Sequence, residues 1–129
     1  VILEGTLLKP NMVISGKDAS KRASPDEVAV RTVECFRRSV PSSVPGCVFL
    51  SGGQSDTEAT LNLDAINRHG QAEAWQLSFS YGRGLQGTPL KAWNGNQDNI
   101  EKAQQAFQKR VAVTGAARRA AYDPKMEKE

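Results

Sequence analysis

The sequence predicts an α/β fold in which parallel strands are joined by helices. Three short apolar runs, residues 1–8, 47–50 and 76–80, are closed by Pro or Gly, and the stretches between them are long enough to hold a helix. A repeated strand-helix order implies parallel strands, because parallel neighbours need a long connection and a helix supplies it. Parallel strands of this kind form either a closed barrel or an open sheet. The first run begins at the first residue, so we expect the chain to start in the middle of a fold.

Two helices are predicted from their start signals. Residues 24–27 and 55–58 each place a serine three positions before a glutamate, the pattern of a capping box, and Pro25 suits a first helical position. The apolar positions that follow repeat at helical spacing. The residues predicted to face the core are Ala29, Val33, Phe36 and Val40 in the first helix and Ala59, Leu63 and Ile66 in the second.

A third helix is predicted after the turn-prone residues 94–96 and is expected to weaken at Thr114 and Gly115. Its predicted inner stripe is Ile100, Ala103, Phe107 and Val111. Residues 123–129 are rich in charge and are predicted to be frayed and solvated.

Composition narrows the function classes. The chain has 129 residues, of which 39% are hydrophobic and 24% charged, as expected for one soluble domain. No apolar run is long enough for a membrane helix, and the net charge of +3 is scattered, so we expect neither a membrane nor a nucleic-acid partner. Cys35 and Cys47 lack ligand spacing, so we expect reduced thiols and no zinc site.

Lys9 is the first candidate for chemistry. It follows the apolar pair Leu7 and Leu8 directly, and α/β barrels hold their active sites at the carboxyl ends of the strands. A desolvated lysine amine can be neutral and nucleophilic at physiological pH, and it then forms a Schiff base with a carbonyl substrate. The alternative is an ordinary lysine at the end of a strand.

Two loops are candidates for phosphate binding. Residues 51–55 follow the second apolar run with a serine and two glycines and lead into a capped helix, whose N-terminus favours an anion. Residues 80–83 follow the third run and offer a glycine amide and an arginine that can bind two phosphate oxygens. Each could instead be an ordinary turn. Taken together with Lys9, they indicate a phosphorylated carbonyl compound as substrate, since barrels bind phosphate at the loops after their last two strands.

Three motifs, residues 3–12, 49–55 and 78–83, resemble class I fructose-bisphosphate aldolase. The resemblance implies the last three strand-helix units of a TIM (β/α)8 barrel over residues 1–129, with a divergent tail at about 116–129. It implies reversible cleavage of fructose 1,6-bisphosphate to dihydroxyacetone phosphate and glyceraldehyde 3-phosphate, without metal or cofactor, by a cytoplasmic or plastid homotetramer. The site residues it implies are Lys9 for the Schiff base and Ser51, Gly52, Gly53, Ser80, Gly82 and Arg83 for the substrate, chiefly its phosphate.

The chain departs from this family in two respects. The acidic residues and the additional lysine that the family carries on earlier strands have no counterpart, and the terminal tyrosine of the family is absent. We therefore expect the chain alone to be incomplete and inactive. Two alternatives stay open: a non-catalytic fragment or scaffold, and another Schiff-base sugar-phosphate lyase such as a transaldolase or a deoxyribose-phosphate aldolase.

Overall fold

The computed structural model describes residues 1–128 and contains a parallel sheet of three strands in the order β1-β2-β3. In the register of the sheet, Leu8 lies opposite Cys47, and Phe49 lies opposite Phe79. The predicted α/β class with parallel strands is confirmed, and the sheet is consistent with part of a barrel. The strands are β1 (Leu7–Leu8), β2 (Gly46–Phe49) and β3 (Gln76–Phe79).

Strand β1 is much shorter than the sequence predicted. Residues 1–8 were expected to form one strand, but Leu3–Gly5 form a 3-10 turn, closed by the Thr6 amide donating to the Leu3 carbonyl at 3.0 Å. Within the described chain β1 pairs with β2 alone. Residues 2–6 therefore satisfy part of their backbone hydrogen bonding within the turn and not within the sheet.

Within residues 1–128, four α-helices connect and follow the strands, and two of them begin where the sequence predicted. The Glu27 amide donates to the Ser24 hydroxyl at 3.2 Å, and Ser55 and Glu58 form both bonds of a capping box. These bonds satisfy amides that the first helical turn leaves unpaired. The helices are α1 (Pro25–Ser39), α2 (Asp56–His69), α3 (Arg83–Trp93) and α4 (Ile100–Arg118). None of the helices within residues 1–128 is long and apolar enough to cross a membrane.

The core lies where β2 meets α1 and α2. The predicted inner faces of these two helices are confirmed, with Val40 only partly buried. Phe36 of α1 stacks on Phe49 of β2 with ring centroids 5.6 Å apart, and Trp75 meets Phe36 edge-on at 6.0 Å. Each fully buried side chain of this size contributes about 1.5–3 kcal/mol, so these contacts fix β2, the strand that leads into residues 51–55.

The sequence did not predict α3. Gly84, Gly87 and Pro89 all have poor helix propensity, yet Arg83–Trp93 is helical and Pro89 lies buried inside it. The helix packs mainly against α4 and ends at Asn94, whose φ of 50° is left-handed. Tertiary packing therefore outweighs local preference in this helix.

The predicted inner stripe of α4 is wrong. Ile100, Phe107 and Val111 are 41%, 43% and 40% exposed, and the helix continues past Gly115 to Arg118. The side that packs against α2 and β3 consists of mainly small side chains and one arginine, whereas the predicted stripe consists of mainly large apolar residues. The buried residues are Arg110, Val113, Thr114, Ala116 and Ala117.

The C-terminal residues are also more ordered than predicted. Pro124–Glu127 form a 3-10 helix that Asp123 caps by accepting from the Lys125 amide at 2.8 Å. Tyr122 is 9% exposed. The prediction of fraying is thus wrong for Pro124–Glu127, whereas Asp123, Pro124, Lys125 and Lys128 are exposed as predicted, and Glu129 lies outside the described residues.

Candidate active site

Three loops meet at the carboxyl edge of the sheet. Lys9 directly follows β1, and the pairing of the strands continues beyond them: the Leu50 amide donates to the Pro10 carbonyl at 3.0 Å, and the Ser80 amide donates to the Phe49 carbonyl at 2.8 Å. Because parallel strands end at the same edge, all the predicted site residues lie along it. The structure thus brings together the candidate nucleophile and both candidate phosphate loops.

Lys9 itself is exposed, as are Leu7 and Leu8 before it. The segment after it is anchored, since Met12 is 3% exposed and the Val13 amide donates to the Thr32 hydroxyl of α1 at 2.9 Å. The backbone of Lys9 is therefore fixed between a strand and an anchored loop. The desolvation expected for its amine is not provided by residues 1–128.

The first phosphate loop, residues 51–54, is tightly folded between β2 and α2. Ser51 is 7% exposed, and its carbonyl accepts from the Gln54 amide at 3.3 Å. Gly53 has a φ of +80°, and a Cβ atom there would lie 3.2 Å from the Cδ1 atom of Ile14. Only glycine adopts this backbone conformation readily in so close a space. The amides of Gly52 and Gly53 therefore lie in a fixed turn beside a buried hydroxyl.

The second phosphate loop, residues 80–83, leads into the N-terminus of α3. Gly82 is its N-cap and has no side chain to accept from the first amides, and Ser80, Gly82 and Arg83 are exposed. A helix N-terminus carries partial positive charge, and the guanidinium of Arg83 adds a full one. The exposed end of α3 is therefore suited to an anion.

Tyr81 points inward from the same loop. Its hydroxyl donates to the Ala59 carbonyl of α2 at 2.9 Å, and burial raises the pKa of the Tyr81 phenol above its ordinary range. The phenol therefore stays protonated and keeps the loop attached to α2. Tyr81 lies within the motif at residues 78–83, but the sequence predicted no role for its side chain.

Two hydrogen bonds connect α3, which follows the second phosphate loop, to the first phosphate loop and to the start of α2. The Gly84 amide donates to the Ser51 hydroxyl at 3.3 Å, and the Thr88 hydroxyl donates to a carboxylate oxygen of Asp56 at 2.8 Å. Sequence reasoning missed these contacts because both donors lie on α3, which it did not predict. An open cleft of about 440 Å³ lies beside them and is lined by Gly53, Gln54, Asp56, Arg83, Thr88 and Lys91, among others.

Within residues 1–128, no group of three or more His, Cys, Asp and Glu side chains is placed to hold a metal ion. Both cysteines are free thiols, Cys35 exposed and Cys47 buried. Burial raises the pKa of the Cys47 thiol.

Comparison with known proteins gives a consistent result. The sequence model of the family described as fructose-bisphosphate aldolase class-I matches residues 1–129. The chain is 55% identical to the non-muscle fructose-bisphosphate aldolase of Lethenteron camtschaticum, over 96% of this chain and 34% of that protein. It is 52% identical to the cytosolic fructose-bisphosphate aldolase 4 of Arabidopsis thaliana, over 95% of this chain and 31% of that protein.

A solved structure shows the same likeness. The fructose-bisphosphate aldolase of Plasmodium falciparum, crystallised with TRAP and a small-molecule inhibitor, superposes with a TM-score of 0.91 at 44% identity. The match covers 95% of this chain and 35% of that one. The chain thus spans about a third of the length of the curated relatives it matches.

Proposed function

The chain belongs to the class-I fructose-bisphosphate aldolase family, and we propose that it supplies the Schiff-base lysine and the phosphate-binding loops of such an aldolase. The reaction would be the reversible cleavage of fructose 1,6-bisphosphate to dihydroxyacetone phosphate and glyceraldehyde 3-phosphate. The observation that carries the proposal is the meeting of Lys9 and two loops rich in anion-binding groups at one edge of the sheet.

In this proposal Lys9 is the nucleophile. Its Nζ attacks the keto carbon of the substrate, the carbonyl oxygen leaves as water, and a protonated Schiff base results. The iminium draws the electrons of the bond between its α and β carbons as that bond breaks and the β-hydroxyl loses its proton, which leaves an enamine on the dihydroxyacetone phosphate half and releases glyceraldehyde 3-phosphate. Proton transfers in these steps require a general acid-base group in addition to Lys9.

The phosphate would lie between the two loops. The Ser51 hydroxyl accepts from the Gly84 amide, which leaves its own hydrogen available to donate to a phosphate oxygen. The amides of Gly52, Gly53 and Gly82, the Ser80 hydroxyl and the Arg83 guanidinium supply the remaining donors. Arg83 is suited to this role because its planar group donates two parallel hydrogen bonds to an anion.

The larger setting is likewise a proposal. Residues 1–129 would form the last three units of a TIM barrel, with residues 116–129 as a tail that differs from the family. The open edges of the sheet at β1 and β3 and the match to 35% of a solved aldolase chain support it. A homotetramer and a cytoplasmic or plastid location follow from the family, and the cytosolic name of the Arabidopsis relative supports the former location.

Borohydride trapping tests the assignment of Lys9. The full-length protein encoded by the gene is treated with borohydride in the presence of dihydroxyacetone phosphate. The labelled peptide is then identified by mass spectrometry. We expect label on Lys9, none in Lys9→Arg because a guanidinium does not form the Schiff base, and full label in the control Lys17→Arg, which alters another exposed lysine. Label on a different lysine would contradict the assignment, and no label at all would favour the non-catalytic scaffold.

A further inference from the structure

Arg110 is a buried arginine that joins three parts of the chain. It is 5% exposed, and its Nη1 donates to both carboxylate oxygens of Glu127, at 2.8 and 2.7 Å. Its Nη2 donates to the Asp56 carbonyl at 3.1 Å and to the Thr60 hydroxyl at 2.7 Å. One guanidinium on α4 therefore links the C-terminal 3-10 helix to the first turn of α2.

Further contacts hold this 3-10 helix in place. The Tyr122 hydroxyl donates to Glu127 at 3.0 Å, and the Lys109 amine donates to the Glu127 carbonyl. The Tyr122 amide donates to the Asp64 carboxylate of α2 at 2.9 Å. Glu127 is therefore held in position from three sides, although its side chain is 22% exposed.

The first turn of α2 is continuous with the first phosphate loop. Asp56 is the first residue of α2, its carbonyl accepts from Arg110 and its carboxylate accepts from Thr88 of α3. Only Gln54 and Ser55 separate it from Gly53. Such a short connection transmits any displacement of Asp56 to the amides of Gly52 and Gly53.

We propose that Glu127, acting through Arg110, is a positioning residue for the phosphate loop at residues 51–53. The ion pair keeps the guanidinium aimed at Asp56 and Thr60, and this fixes the helix that follows the loop. Without the carboxylate, a buried guanidinium would lack its counter-charge and would turn toward water, releasing the first turn of α2. This role concerns the phosphate site of the proposed function, and its kinetic test rests on that function.

The kinetic test separates phosphate binding from Schiff-base chemistry. Borohydride trapping is measured in Glu127→Gln against increasing dihydroxyacetone phosphate and, separately, against dihydroxyacetone, which has no phosphate. We expect the half-saturating concentration of the phosphate ester to rise by up to about 100-fold, because small misplacements of binding groups have effects of this size. Trapping with dihydroxyacetone should stay unchanged.

The matched control is Glu101→Gln, which removes the same charge from an exposed position on α4. It should leave both titrations unaltered. In Glu127→Gln, an equal rise in the half-saturating concentration of both ketones, or no rise for either, would overturn the proposal. Tyr122→Phe removes one hydrogen bond to Glu127 and keeps the ion pair, so it should show a smaller rise and decides the question if Glu127→Gln does not fold.

Amide hydrogen exchange provides a readout that does not depend on activity. In Glu127→Gln, the amides of residues 52–60 should exchange at least about tenfold faster, while those of α1 keep their rates. Unchanged exchange at residues 52–60 would overturn the positioning role. Absence of label on Lys9 in the wild-type protein would instead contradict the proposed function and leave the exchange result to decide this one.

Discussion

Helices α2 and α4 run beside each other but are held in place by different means. The inner residues of α2, Ala59, Leu63 and Ile66, are 0% exposed, whereas three residues of the apolar stripe of α4, Ile100, Phe107 and Val111, are about 40% exposed. A regular apolar stripe is thus buried in one helix and left at the surface in the other. The comparison teaches that periodicity defines a possible face, and that the neighbouring elements decide which face is buried.

The inner face of α4 explains the difference. Thr114, Ala116 and Ala117 are small, so the helix can lie close to α2 and β3 without large side chains between them. Arg110 then crosses to α2 and forms polar contacts there. Helix α2 is therefore held by apolar burial, and α4 by close approach and a buried ion pair.

The largest effect is expected from Arg110→Met. Removing one partner of a buried ion pair costs about 3–5 kcal/mol, because the other partners lose their hydrogen bonds. Urea unfolding of the purified protein measures the loss. The double variant Arg110→Met/Glu127→Gln should lose clearly less than the sum of the single variants. Additive losses would show that the ion pair does not hold α4 to α2.

Two side-chain truncations test directly whether the apolar stripe is buried in α2 and exposed in α4. Leu63→Ala in α2 should cost about 2–5 kcal/mol, since it opens a cavity in a closed core. Val111→Ala in α4 should change the free energy of unfolding by at most about 0.5 kcal/mol, as exposed positions do. Thermal and urea unfolding measure both. A large cost at Val111 would mean that another surface covers the exposed stripe of α4.

A substitution in α3 should change the free energy of unfolding by less, and in the opposite direction. A Cβ atom on Gly87 would meet no atom within 4 Å, so Gly87→Ala should stabilise the protein by about 0.5–1 kcal/mol through helix propensity alone. Gly53→Ala is the contrasting variant, because its positive φ strains any side chain there. Urea midpoints of the two variants should move in opposite directions.

Among these variants, Tyr122→Phe should change stability least at neutral pH. Burial, with the hydrogen bond to Glu127, raises the pKa of Tyr122 from 10.0 to about 12. A raised pKa means that the fold favours the protonated phenol, so its contribution is fully present below pH 10.0 and is lost as the pH rises through about 12. Alkaline unfolding of Tyr122→Phe should therefore depend less on pH in that window, and phenolate absorbance identifies the ionisation. An ordinary titration near pH 10.0 would contradict this.

The sequence was sufficient where the information is local. Serine caps, apolar spacing and strand-ending glycines predicted β2, β3, α1 and α2, and they placed the site residues on loops at one edge. The sequence was insufficient where a contact between two residues distant along the chain determines the structure. Thr88 and Asp56 are 32 positions apart, and Arg110 and Glu127 are 17 apart, and no periodic pattern connects either pair. The turn at residues 3–5 was likewise not predicted, because residues 1–8 have the composition of one continuous strand.

The turn at residues 3–5 also determines how much strand lies at the β1 side of the sheet. A long, flat strand at the border of a sheet exposes unpaired amides and carbonyls to which another chain can add, which is a common route to aggregation. Since β1 contains only Leu7–Leu8, it presents a template of two residues despite its exposed leucines. Within residues 1–128, the turn therefore shortens the template that β1 offers to another strand.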